Sequence, residues 1–586
     1  MLRFRQIAIA ALMLMLPTAS LARPNFVVLL VDDAGFMDFG GYGGEARTPT
    51  IDRLAEEGVR FSNFHTSPLC ATSRAMLITG LDSHRTGVGT IPEVLTKEQE
   101  GSPAYALHLQ PGVKTIADRL KDAGYETFMT GKWHLGDREN HLPDSHGFDR
   151  SFTLAASGAD NWEQKTFLPL YEEAPWYEDG QPARLPADFY SSRFLVEKMR
   201  EYLEGRDRTR PFFAYVAFQA IHIPVQAPRE FTDRYEGVYQ DGWEATLERR
   251  FERAKALGLA PEDAPRPEMH SSLRTWDSLS TQEKAHYERS MMVNAGMLEA
   301  MDHYVGELVS YLESTGDLSN TVFIVTSDNG PEFNDPTSDS FFRLWMSQNG
   351  YHTDVERMGE RGSMGAIGPE WASAAAVPGS LFKMYASEGG TRVPMIMFGP
   401  GIPKHEGFHG ARTFVTDLAP TISDLAGLPA TTEMDGRSLV PVLTGDVMEV
   451  LGADEPVGLE VAGNSALFHG RYKLTRNTLP HGDAEWRLYD LQTDPSESRD
   501  LSAERPDLYK EMLAEYERYA ASAGIVALPK DFDIQAQIGI NVRKELISRN
   551  LPALAAAGGV VVLAVLATFD FVRRRRHQTR SHMIGR

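Results

Sequence analysis

The chemistry-bearing residues of this chain begin with a single thiol. Cys70 is the only cysteine in 586 residues. It opens a predicted helix in Pro68-Leu69-Cys70-Ala71-Thr72-Ser73-Arg74-Ala75-Met76-Leu77-Ile78-Thr79, which Gly80 can close. Pro68 interrupts the chain ahead of it and Arg74 falls one turn further on. A helix N-terminus and a guanidinium therefore converge on the sulfur and favour an anion there. A chain bound for an oxidising compartment ordinarily uses cysteines in pairs. Cys70 has no such partner, which leaves a small buried hydrophobe or a residue kept for its reactivity.

Oxygen ligands and cationic groups recur elsewhere. Asp32-Asp33 and Asp328-Asn329 offer carboxylate and amide oxygens without sulfur or imidazole, the preference of a hard cation such as Ca²⁺ or Mg²⁺. Each pair ends an apolar run, and two buried acidic edges repel unless a cation sits between them. Lys132, His134, His222 and Lys383 each have an ordinary explanation as solvated or structural side chains. Gathered with Arg74, they form a cationic wall opposite a metal, which grips a tetrahedral anion and stabilises charge during transfer.

The elements that must position these residues are legible as apolar runs with polar ends. Asn25 to Val31 leads into Asp32-Asp33, Tyr125 to Gly131 into Lys132-Trp133-His134, Phe212 to Phe218 towards His222, and Thr321 to Thr326 towards Asp328. Continuous apolar runs fit strands buried on both faces. Between them lie predicted helices: one after Thr48-Pro49 ending at Gly58, one over Thr115 to Ala123, one over roughly Ala285 to Ser314. This alternation predicts an α/β fold, a large mostly parallel or mixed sheet sandwiched by helices, with its site beyond the carboxyl ends of the strands.

From about Asp446 the pattern changes. Ala466 to Leu474 and Arg487 to Leu491 read as short strands and Pro506 to Ala521 as a helix, a smaller C-terminal α+β subdomain. The acidic, arginine-rich stretch from Arg229 to Glu288 reads as a solvated peripheral insertion. Trp162, Trp176 and Tyr177 fall in an irregular stretch that could line the cleft mouth or pack.

The chain ends carry addressing signals. Arg3 and Arg5 precede an apolar run from Ile7 to Leu16, and Ser20-Leu21-Ala22 offers a cleavage site, a signal peptide over 1–22. Residues 551–571 read as a C-terminal transmembrane helix and 572–586, with Arg573 to Arg576, as a basic cytoplasmic tail. The expected order is then a catalytic domain over 23–445, the subdomain over 446–524, a juxtamembrane linker over 525–550 and the membrane anchor. The body would lie on the periplasmic side. No Asn-x-Ser/Thr sequon occurs. A formal charge of −22 excludes nucleic acid as a natural partner.

Taken together, the motifs resemble those of the type I, formylglycine-dependent sulfatases of the alkaline phosphatase superfamily. The resemblance rests on Cys70-Ala71-Thr72-Ser73-Arg74 with Leu77-Ile78-Thr79-Gly80, on Gly131-Lys132-Trp133-His134-Leu135-Gly136, on Ile221-His222-Ile223-Pro224, and on Ser327-Asp328-Asn329-Gly330. Lys383 ahead of Glu388-Gly389-Gly390-Thr391-Arg392-Val393-Pro394 also matches, and Gly368-Pro369-Glu370-Trp371-Ala372 is similar to bacterial arylsulfatases. The resemblance implies hydrolysis of small sulfate esters. Cys70 would be oxidised to formylglycine by the modifying machinery, and its hydrate would attack sulfur. Asp328 would activate the attacking hydroxyl, His222 and Lys383 would hold the sulfate and protonate the leaving oxygen, and His134 would take the proton that releases sulfate. Arg74 and Lys132 would stabilise the hydrate. Asp32, Asp33, Asp328, Asn329 and modified residue 70 would bind Ca²⁺ in preference to Mg²⁺.

One position departs from the family pattern: Thr72 stands where Pro is usual, which bears on how completely Cys70 is converted. The same residues also suit a phosphate diester or phosphonate monoester. Asn329, where two-zinc phosphatases place His, argues against a two-zinc phosphatase but leaves a one-metal phosphodiesterase open. A membrane-anchored binding protein with a lapsed site is the reading from outside enzymology.

Overall fold

The strand Asn25–Val31 is buried along its whole length, with Phe26 to Val31 all at 0% exposure. Complete burial of such side chains stabilises by about 1.5–3 kcal/mol each, so this segment anchors the core. It pairs in parallel with Phe212–Ala217 on one side and Thr321–Ser327 on the other, Val28 facing Tyr215 and Ile324. Parallel pairing continues outward through Glu126–Lys132 to Arg150–Leu154. Beyond Thr321–Ser327 the strand Met395–Phe398 runs antiparallel, so the ten-stranded sheet is mixed. The computed structural model describes residues 23–452 and 455–556.

Helices cover this sheet for reasons visible in their sequences. Ile116–Asp122 starts at a capping box, Thr115 accepting from the Asp118 N–H while Asp118 accepts from the Thr115 N–H. Ser191–Gly205 packs on Glu126–Lys132 and Phe212–Ala217, and Pro49–Glu57 on Met395–Phe398. The long helix Thr281–Ser314 is also opened by a capping box, between Ser280 and Glu283, four residues before the expected start. Cys70–Thr79 is buried on every side, and Gly80 closes it in the left-handed region at φ 71°.

Several expectations are corrected. The stretch from Arg229 to Glu288 is not a solvated insertion. Its helix Gly242–Ala256 buries Trp243 and Phe251, and Trp243 meets Trp276 and Trp371 edge-on at 4.8 and 5.8 Å. Its Arg250 is buried between Asp38 and Glu45, at 2.8 and 2.7 Å. Charge density along the sequence misled because the arginine is paired across the fold. Trp176 is core, stacked on Phe152. Trp162 packs on Tyr190 and donates to Gly359 O, and neither it nor Tyr177 lines the cleft described below.

The C-terminal region forms a four-stranded antiparallel sheet with the helix Pro506–Ala523 laid on it through Met512 and Tyr516. The expected single strand over Ala466–Leu474 is a hairpin, Asn464–His469 and Tyr472–Arg476, broken at Gly470 with φ 53°. Most of the expected linker over 525–550 belongs to the helix Ile534–Ala556, which runs on past the start of the expected membrane span. Among the described residues no helix is long and apolar enough to cross a membrane. The fold is accordingly a mixed α/β sheet with a C-terminal sheet, and the described residues give the expected transmembrane helix no support. The remainder of that span from 557, the basic tail and the signal peptide lie outside the described residues.

Candidate active site

Five parallel strands end on one edge, and the chemistry gathers there. Asp32-Asp33 follow Asn25–Val31 and Asp328-Asn329 follow Thr321–Ser327. Lys132 is the last residue of Glu126–Lys132, with His134 two further on in the left-handed region at φ 58°. His222 follows Phe212–Ala217, Cys70 begins its helix, and Lys383 comes from the loop after Gly368–Ala375. Gly330 lets this edge close, since a Cβ there would meet Gly389 O at 1.9 Å.

Ligand atoms of Asp32, Asp33, Cys70 and Asp328 all lie within 4.8 Å of one another. Asn329 Nδ2 donates to Asp33 Oδ1 at 2.6 Å, leaving Asn329 Oδ1 buried with no hydrogen-bond partner. These oxygens fit a hard cation: a crowded carboxylate set plus an orphaned amide oxygen. Three cations flank them. Arg74 donates through Nε to Asp328 at 2.9 Å and through Nη1 to Lys132 O at 2.8 Å. Lys132 Nζ reaches both oxygens of Asp32 at 2.9 and 2.7 Å. Lys383 Nζ bridges Asp33 and Glu332, at 2.9 and 2.8 Å. His222 Nε2 stands 3.7 Å from Asp33, while its Nδ1 is 2.6 Å from Ile223 O. Both ring nitrogens of His134 are buried without partners.

The electrostatics follow from crowding in a dry place. Burial raises Asp33 to about 8, against the pull of Lys383, with Asp32, Glu332 and Asp328 adding to the rise. Burial and Asp32 raise Asp328, which Arg74 only partly offsets. Burial works against Asp32 as well, but Lys132 and Arg74 outweigh it and its pKa falls. Burial holds the Cys70 thiol well above its ordinary range, so as a cysteine it is protonated and a weak nucleophile. His134 and His222 are driven well below the ordinary imidazole value, by burial first and then by the nearby lysines.

Cys70, His134, His222 and Lys383 open on a cleft of about 630 Å³. A larger cavity of about 870 Å³ lies beside the C-terminal sheet, around Arg392 and Phe468, and contains none of the predicted residues. The cleft beside the titratable cluster is the candidate chemical site, because size alone supplies no nucleophile.

The family model described as Sulfatase matches residues 24–428. The chain belongs to the sulfatase family. As such it is a sulfuric ester hydrolase. A second model, N-sulphoglucosamine sulphohydrolase C-terminal, matches residues 379–519. The sulfatase is 34% identical to an uncharacterised sulfatase of Schizosaccharomyces pombe, over 87% of this chain and 96% of that one. It is 32% identical to an arylsulfatase of Klebsiella aerogenes, over 72% of this chain and 90% of the other. A structure solved in complex with a neocarrahexaose shares the fold with a TM-score of 0.62 at 22% identity, covering 90% of this chain and 98% of its own.

Two carboxylates of this sulfatase's site escaped sequence reasoning. Glu332 grips Lys383, and although burial opposes its charge, Lys383 and His222 draw its pKa down to about 2. Its signal was available, two residues beyond Gly330, but a lone Glu after a motif looks like any solvated acid. Glu93 lines the cleft with Oε1 accepting from Ser157 at 2.6 Å and Oε2 buried without a partner. Nothing in its local sequence distinguishes it.

Proposed function

We propose that this sulfatase hydrolyses sulfate monoesters, aryl sulfates among them, at a formylglycine made from Cys70 beside a bound Ca²⁺, releasing sulfate and an alcohol or phenol. Asp32, Asp33, Asp328, Asn329 and modified residue 70 would hold the ion, which when bound draws charge from the sulfate oxygens and favours ionisation of the nucleophile. Formylglycine would supply, as its hydrate, the attacking hydroxyl that a buried, protonated thiol does not.

The observation that carries this reading is the charge balance around Cys70. Four carboxylates, Asp32, Asp33, Asp328 and Glu332, meet three cations, Arg74, Lys132 and Lys383. A divalent ion would hold all four carboxylates ionised, Asp33 included, and would turn the deficit of one into an excess of one, which the single negative charge of a sulfate monoester neutralises.

In this scheme Asp328 accepts the proton of the attacking hydroxyl, with Arg74 fixing its carboxylate. Lys132 stabilises the hydrate while holding Asp32. His222 and Lys383 hold the sulfate. With Nδ1 donating to Ile223 O, neutral His222 presents Nε2 as an acceptor, and Lys383 is then the group that carries a proton to the leaving oxygen. His134, neutral and unpartnered, takes the proton of the second hydroxyl so that sulfate leaves and the aldehyde returns. The arginine-flanked apolar run before residue 23 supports export ahead of this chemistry.

Mass spectrometry of the peptide containing Cys70, from protein made in its own host, tests the nucleophile. Formylglycine is expected, and a thiol throughout would end the proposal. Initial rates on matched aryl sulfate and aryl phosphodiester test the substrate, with the higher kcat/KM expected on the sulfate.

A further inference from the structure

The helix Ile534–Ala556 lies beyond residues 24–428 and 379–519 that the two family models match, yet it walls the cleft. Gln535, Ile538, Gly539, Val542 and Arg543 line the same space as Cys70, His222 and Lys383. Their spacing, i, i+3, i+4, i+7 and i+8, is one face of a helix. That face is held in place from behind. Asn541 Nδ2 lies 3.1, 3.0 and 2.9 Å from the carbonyls of Pro92, Glu93 and Leu95, and Gln537 Nε2 lies 3.2 Å from Leu95 O. Ile534 and Val542 are buried. The helix is thus pinned to the segment that brings Glu93 into the cleft.

Gly539 sits in the middle of this face, a position where helices disfavour glycine relative to alanine. Packing does not demand it. A Cβ at 539 would meet nothing within 4 Å, and the backbone there is not in the left-handed region. The missing side chain therefore leaves open space at a position that lines the cleft. Ile538 and Val542 flank the gap, and Phe333, Leu168 and the partly exposed Phe341 line the same cleft.

We propose that this helix face is the docking surface for the alcohol half of the sulfate ester, and that Gly539 is kept small so that a large, mainly apolar alcohol can lie across it. The inference rests on the proposed sulfate ester hydrolysis, and it makes Gly539 a specificity-determining residue without a part in the chemistry. In that scheme His222 and Lys383 hold the sulfate, so the alcohol must leave through the cleft that this face walls.

The full-length protein and its Gly539→Leu variant, assayed on 4-nitrophenyl sulfate and on the four-ring estrone 3-sulfate, give the test. The parent is expected to turn over both. Gly539→Leu should lose at least about tenfold in kcat/KM on estrone sulfate and less than about twofold on 4-nitrophenyl sulfate, with an unchanged or raised Tm. Gly539→Ala, which adds one methyl to the same space, should shift estrone sulfate alone by a smaller factor and covers a leucine variant that fails to fold. Equal losses on both substrates at native Tm, no loss on estrone sulfate, or a parent that cleaves only the small ester would each overturn the proposal. Calorimetric titration of estrone sulfate into the same proteins reads docking without turnover: weaker binding by the leucine variant is expected even if hydrolysis is absent, and equal binding refutes the docking face. A parent that binds estrone sulfate but hydrolyses neither ester would refute the proposed function instead.

Discussion

Lys383 and Glu332 form a buried ion pair, Nζ to Oε2 at 2.8 Å, and the other oxygen of Glu332 is clasped by the N–H groups of Phe333 and Asn334, both at 2.9 Å. Glu332 therefore acts as a rigid backstop that aims Lys383 towards the cleft. Glu332→Gln keeps the shape and the backbone hydrogen bonds but removes the charge. Hydrogen bonds to charged groups contribute about 1.5–3 kcal/mol, so kcat is expected to fall roughly 10- to 100-fold while the protein stays folded. If Lys383 protonates the leaving oxygen, the loss should grow with the pKa of the leaving phenol. A uniform loss across a phenol series would assign Glu332 a merely structural part.

Asp328 meets both Arg74 and the acidic cluster. Asp328→Ala should abolish bound metal and activity together, because it removes a ligand and the proton acceptor in one step. Metal content by atomic spectrometry is the decisive reading, alongside circular dichroism to show an intact fold. A variant that retained its metal would mean the ligands are wrongly placed.

Thr72 lies in the first turn of the Cys70–Thr79 helix, its hydroxyl 2.7 Å from Leu69 O and 2.7 Å from Ser67 Oγ. The first turn needs no N–H from this residue, so proline is compatible with the backbone there. Thr72→Pro restores the usual family motif and is expected to raise the formylglycine fraction at residue 70, measured by peptide mass spectrometry. Losing the hydroxyl contacts should cost about 1 kcal/mol of stability. An unchanged or lower fraction would show that Thr72 does not limit conversion.

Stability against pH should report a buried histidine that does not line the cleft. His84 is buried between Asp82 at 3.3 Å and Glu460 at 2.9 Å, the latter on the C-terminal sheet. Burial lowers its pKa, but the hydrogen bonds it donates to both carboxylates prevail and raise it to about 9. A raised histidine pKa stabilises fully below the unfolded value near 6.5 and the contribution is lost as pH climbs through about 9. The amount is on the order of 3 kcal/mol for a shift of this size. Thermal melts from pH 6 to 10 should therefore show a falling Tm that is flattened in His84→Gln. Parallel curves for the two proteins would remove His84 from the account.

Much of this site was readable along the chain because its ligands follow local signals. Asp32-Asp33, Lys132, His222 and Asp328 each come just after an apolar run, and parallel pairing of those runs brings their ends to one edge. The helix from Cys70 to Gly80 carries its own start, its own stop and Arg74 one turn in. Such features depend on period, caps and side-chain type, which are properties of short segments. Arg250 was misjudged for the converse reason: its partners Asp38 and Glu45 lie about 200 residues away, and only the fold supplies them.

The sequence by itself determined the sheet core and named the residues of the proposed nucleophile and oxygen-rich ligand set of this sulfatase. Tertiary structure alone decided that Glu332 grips Lys383, that Asn329 turns its nitrogen to Asp33 and leaves its oxygen free, and that the helix from Ile534 walls the cleft. Those relationships join surfaces distant in sequence. They are settled by packing and by charge pairing in a water-poor interior, where no single segment carries the information.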